Sequence, residues 1–138
     1  MTATVAGDDE RIRDLLRSAP LIDGHNDLLW ELRQAREKAP GDAAPDLREP
    51  QPRWMTDLPR LNAGAVGGQF WSVYVPSDLP GDTAVTRTLE QIDAMFELAR
   101  TYPDRLEIAR SADDVERIAS AGRVASMIGK IPYMPECV

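Results

Sequence analysis

His25 and Asp27, two residues apart in the stretch Asp23-Gly24-His25-Asn26-Asp27, have the types and spacing to share one metal ion. On an extended backbone side chains alternate between faces, so residues 25 and 27 point the same way. An imidazole nitrogen and a carboxylate oxygen are both suitable zinc donors. The same triplet also fits a structural role, with Asp27 capping a helix that begins at Leu28 and His25 a satisfied strand-end histidine. Trp30 and Tyr74 are candidates for a substrate pocket, although aromatic residues beside apolar strands are more often core. Gly67-Gly68 lacks the Lys and the following helix of a phosphate loop and reads as a place of close strand packing. Asp113, Asp114 and Glu116 read as the acidic start of a helix, and Cys137 has no second histidine to activate it as a nucleophile.

The elements that must position these residues alternate along the chain. Asp8 and Asp9 precede Ile12, Leu15, Leu16 and Ala19, a helical spacing behind an acidic cap, and Pro20 closes the run. Residues 21–27 read as a strand that opens apolar and turns polar, and 28–38 as a helix carrying Trp30 and Leu32. Pro40, Pro45, Pro50 and Pro52 make residues 39–53 a long surface loop. A short helix is expected at 56–61 and a buried strand over 64–75, dense in aromatic and β-branched residues. Asp82 or Thr83 caps the next helix, whose apolar face is Val85, Leu89, Ile92, Phe96 and Ala99 and which Pro103 ends. Residues 106–109 form a minimal strand; Ser111 and Asp114 then make a capping box, Gly122 a helix stop, and 124–129 a further buried strand.

A parallel strand return needs a crossover, so this alternation predicts an α/β fold. A (β/α)8 barrel typically takes about 250 residues, so three or four strands are at most half of one. A small doubly wound sheet is the alternative. With 138 residues, 43% hydrophobic and 28% charged, the chain reads as a single domain over 1–138. A formal charge of −7 and pI near 4.7 argue against a nucleic-acid partner, which needs clustered Lys and Arg. Cys137 is the sole cysteine, so neither an intramolecular disulfide nor a purely thiolate zinc site is available within one chain. No apolar run nears the ~20 residues of a membrane span, and residues 1–10 lack the pattern of a secretory leader. The expectation is a cytoplasmic protein with no membrane partner.

Longer segments carry a family signal. Ile22-Asp23-Gly24-His25-Asn26-Asp27-Leu28 with Trp30, then Gly64 and Val66-Gly67-Gly68-Gln69-Phe70-Trp71-Ser72-Val73-Tyr74, resembles the renal or membrane dipeptidase family of zinc peptidases. Arg87-Thr88-Leu89-Glu90-Gln91-Ile92-Asp93, Tyr102-Pro103 and Gly122-Arg123-Val124-Ala125-Ser126-Met127-Ile128-Gly129 are similar to the same family in the same order. The resemblance runs from about residue 12 to 129 and is loosest in the proline-rich loop.

The resemblance implies a (β/α)8 barrel with two zinc ions at its strand ends, hydrolysing dipeptides, some with a D-residue at the C-terminal position. His25 and Asp27 match the two first-strand ligands. The family's bridging Glu follows the strand matching 124–129, and two further histidines lie on later strands. After Gly129 the family continues Glu-Gly-Gly-His, whereas this chain reads Lys130-Ile131-Pro132-Tyr133-Met134-Pro135-Glu136-Cys137-Val138, a divergent tail in which Glu136 comes too late to substitute. Leu29 stands where the family usually has Pro. The expectation is therefore the N-terminal part of a metallodipeptidase barrel with an incomplete site, inactive alone. The rival expectation is a non-catalytic half-barrel that depends on a partner, with unpaired strand edges that favour self-association.

Overall fold

The computed structural model describes residues 4–129, so the expected divergent tail at 130–138, with Glu136 and Cys137, lies outside the described residues. In chain order the elements are α1 (Thr4–Ser18), β1 (Leu21–Asn26), α2 (Leu28–Lys38), α3 (Leu58–Ala63), β2 (Val66–Ser72), α4 (Gly81–Thr101), β3 (Leu106–Ile108), α5 (Ala112–Ser120) and β4 (Val124–Gly129). The strands form one open sheet in the order β1-β2-β4-β3, and every pairing is parallel. This is the α/β architecture that the alternation predicts. The order departs from sequential barrel winding at one place, because β4 inserts between β2 and the three-residue β3.

That insertion sends the chain out from β2 to β3 and back to β4. With right-handed crossovers the two connecting helices fall on opposite faces. Met95 and Leu98 of α4 accordingly pack with Trp71, Val124 and Leu106, together with Leu28 and Leu29 of α2 and Leu58 and Leu61 of α3. Ile118 of α5 packs instead with Ala125, which lies on the other face, and Met127 borders that cluster. Gly67 and Gly68 permit this closeness: a Cβ on Gly67 would stand 2.4 Å from Pro20 Cβ, and one on Gly68 2.6 Å from Ile22 Cδ1.

Several local expectations need correction. α1 begins at Thr4, so Asp8 and Asp9 lie within it and do not cap it, and Ile12 and Leu15 stay exposed. The 39–53 stretch has no helix or strand, as its prolines require, and most of its residues are exposed, so it is the long surface loop expected, pinned to the fold at Leu47. Leu47 and Trp54 are buried, and the Leu47 amide donates to Tyr102 Oη at 2.9 Å, because a buried backbone donor must find a partner. In α4 the inward stripe is Gln91, Met95, Leu98 and Ala99, whereas Val85 and Leu89 are exposed. The helix is turned by about one residue, which buries Gln91, where Arg33 Nε of α2 donates to its Oε1 at 3.0 Å. α5 follows its sequence closely, with Ser111 Oγ accepting from the Asp114 amide at 3.1 Å and Gly122 taking φ +74° just past its end.

Candidate metal and substrate site

β1 delivers its polar end directly into α2. Pairing with β2 slips between Asp23 and Asn26, and such an irregularity re-aims side chains at a strand end. Beyond it, His25 Nε2 and Asp27 Oδ2 lie 3.0 Å apart, with about half of each side chain exposed. Asp27 occupies the N-cap position of α2 but makes no side-chain cap hydrogen bond. Asn26 Oδ1 accepts from the Leu28 amide instead, at 3.0 Å. The carboxylate of Asp27 is thus not used to start the helix.

The residue between the pair faces the interior. Asn26 Nδ2 donates to Thr56 Oγ1 at 2.8 Å and to Gln69 Oε1 at 3.3 Å. Gln69, fully buried, donates through Nε2 to the carbonyls of Asp23 at 3.3 Å and Phe70 at 3.2 Å. Asp23 Oδ1 in turn accepts from the His25 amide at 3.2 Å. Sequence reasoning did not single out Asn26, Thr56 or Gln69. One signal was present in Gln69, a lone amide inside an otherwise apolar and aromatic strand, since a buried polar side chain is retained where partners meet it.

The donor chemistry of the pair fits a zinc ion. Bonds of about 2.0–2.2 Å at a tetrahedral angle set neighbouring donors roughly 3.3 Å apart, within a few tenths of an ångström of the observed separation. The number of donors is short of a full set, because no group of three or more His, Cys, Asp or Glu able to hold a metal occurs among the described residues. Trp30 and Tyr74 come together past the ends of β1 and β2, edge to face, with ring centroids 5.3 Å apart and planes at 89°. A cleft of about 1080 Å³ lies elsewhere, between α2, α4 and residues 42–54, and neither His25 nor Asp27 lines it. Among the described residues no helix is long and apolar enough to cross a membrane.

Comparison with known proteins gives these features a family. The family model described as membrane dipeptidase, peptidase family M19, matches residues 9–131. Dipeptidase ataJ of Aspergillus terreus is 43% identical over 128 residues, covering 86% of this chain and 30% of that protein. Dipeptidase verJ of Clonostachys rogersoniana is 39% identical over 126 residues, covering 83% of this chain and 31% of its own length. The chain therefore spans under a third of the length of these curated relatives. Among solved structures, a metallo peptidase from Rhodobacter sphaeroides, liganded with a phosphinate mimic of the dipeptide L-Ala-D-Ala, superposes with a TM-score of 0.59 at 22% identity. That match covers 79% of this chain and 37% of the other.

Proposed function

The chain belongs to the membrane dipeptidase family, peptidase family M19, and from that premise we propose that its β1 end supplies the first two protein ligands of a zinc site for dipeptide hydrolysis. The observation that carries this reading is the Asp27 carboxylate, which stands at a helix N-cap without capping it and meets His25 Nε2 at 3.0 Å. Zinc held there would lower the pKa of a bound water and polarise the scissile carbonyl. In this chain His25 Nε2 and Asp27 Oδ2 would hold the ion, and the carboxylate would offset part of its charge. Trp30 and Tyr74, joined edge to face, form an apolar wall that orients the substrate and excludes water.

Dipeptides, including those with a C-terminal D-residue, are the proposed substrate class, supported by the relatives' names and by the ligand of the Rhodobacter sphaeroides enzyme. A second zinc ion follows from the family resemblance and needs ligands beyond this pair. A catalytic zinc normally has three protein ligands. With one histidine in its sequence and no larger donor group among the described residues, the 138-residue chain is proposed not to turn over substrate alone. Exposed Leu21 and Ile22 on the edge strand β1 favour a second property, self-association through that edge. Light scattering of the purified chain tests it, and a monomer at all concentrations overturns it.

The ligand assignment is tested by NMR, since His25 is the only histidine and its imidazole signals need no assignment. Zn²⁺ is expected to shift them, and Asp27→Ala to raise the half-saturating Zn²⁺ concentration about tenfold. Imidazole signals indifferent to Zn²⁺ would overturn the assignment. Robust, chelator-sensitive hydrolysis of L-Ala-D-Ala by the chain would overturn its proposed inactivity.

A further inference from the structure

We propose that Thr56 and Gln69 are positioning residues that act through Asn26 to set the His25 and Asp27 side chains at metal-binding distance. This rests on the ligand assignment above. The Asn26 carboxamide has only one workable orientation, because its Oδ1 takes the Leu28 amide and its Nδ2 must then face the interior. There it meets Thr56, 30 residues away in sequence, and Gln69, 43 away. Gln69 also holds the Asp23 carbonyl, while the Asp23 carboxylate holds the His25 amide. The strand end is therefore fixed at residues 23, 25, 26 and 28 by hydrogen bonds that use neither the His25 ring nor the Asp27 carboxylate.

Those two side chains leave a rigid backbone on the side opposite Asn26. Metal affinity depends on such supporting contacts, which hold ligands in one geometry before the ion arrives. A core with no such task has a simpler solution, since exchanging both partners of a buried hydrogen bond for apolar groups of the same shape can be nearly neutral. Here three polar side chains from β1, β2 and the segment before α3 converge beneath the two candidate ligands.

The test compares Thr56→Val, which removes the hydroxyl at nearly constant shape, with Thr56→Ser, which keeps it, in the 138-residue chain. Asn26→Asp, which keeps the acceptor toward Leu28 and loses the inward donor, serves should Thr56→Val fail to fold by circular dichroism. The ring ¹⁵N shifts of the metal-free protein report the hydrogen bonding of Nε2, the nitrogen facing Asp27. Thr56→Val is expected to move those shifts toward the values of Asp27→Ala and to raise the Zn²⁺ half-saturation about tenfold. Thr56→Ser should match the parent within about twofold. A folded Thr56→Val or Asn26→Asp with parental ring shifts and parental Zn²⁺ response would overturn the proposal, as would Thr56→Ser behaving like Thr56→Val. If Zn²⁺ leaves His25 unmoved in the parent, the ligand assignment fails and the metal-free ring shifts decide positioning on their own: displacement supports it, and no displacement overturns it.

Discussion

Asp27 and Asp57 both stand at the N-cap of a helix, α2 and α3 respectively, and the structure uses their carboxylates in opposite ways. Asp57 has extended backbone, φ −149° and ψ 167°, and its Oδ1 accepts from the Arg60 amide at 2.8 Å. Its Oδ2 accepts from the Gln51 amide and from Arg60 Nε, both at 2.9 Å. Burial alone would raise its pKa, but these bonds from Arg60 and Gln51 outweigh it and hold the carboxyl below its ordinary value. Asp27 has φ −92° and ψ 15°, caps nothing and remains half exposed. A carboxylate with both oxygens engaged inside the fold and 2% exposed is closed to a ligand, whereas one relieved of capping by its neighbour stays open to it. Ser111 lies between the two, a true cap of α5 on an exposed surface.

The contrast predicts a graded series of stability losses. Asp57→Ala should cost most, on the order of 3 kcal/mol, because it removes a cap and leaves the part-buried donors of Gln51 and Arg60 without their acceptor. In a thermal melt that is a fall of about 10 °C. The sign with pH follows from the depressed pKa. Stability from Asp57 is fully present above its unfolded pKa, near 3.9, and is lost as pH falls through the lower folded value. Asp57→Asn should therefore flatten the acid limb of the stability curve below about pH 4. Loss of 0.5 kcal/mol or less for Asp57→Ala would break the comparison at its strong end.

Tyr102→Phe comes next. It leaves the buried Leu47 amide without its acceptor, at a cost of about 1–2 kcal/mol by urea titration. A negligible change would mean that this bond adds nothing to the Leu47 packing and the Asp57 and Arg60 hydrogen bonds that also hold the segment. Ser111→Ala should cost about 1 kcal/mol, since it deletes one exposed cap bond and leaves the core of α5 untouched. That value, between those for Asp57 and Asp27, separates the worth of capping from the worth of burial.

What the sequence disclosed divides along the same line. Local patterns gave α2 its observed limits, placed the capping serine of α5 and its glycine stop, and put His25 and Asp27 on one side of a strand end. They failed where distant partners decide. The buried stripe of α4 includes Gln91, whose partner Arg33 lies 58 residues away. The proline-rich segment is the surface loop its composition predicts, but nothing local announces that Tyr102 waits for the Leu47 amide. The β1-β2-β4-β3 order likewise depends on where a three-residue strand docks. Asn26 read only as the spacer between two ligands, since its partners lie on other elements.

Asp27→Asn is the smallest change in the series and the most discriminating. It removes a charge from the first turn of α2, where an anion gains about 0.3–1 kcal/mol from the helix dipole, and it breaks no cap bond. The expected loss of stability is about 0.5 kcal/mol, near the limit of measurement by denaturant titration. A cost equal to that of Asp57→Ala would show that the carboxylate is structural after all, with the His25 contact part of the fold. A near-neutral result paired with weakened Zn²⁺ binding would separate stability from binding at one residue. That outcome fits a strand end whose backbone is held by Asn26, Thr56 and Gln69, so that Asp27 is free of any structural task.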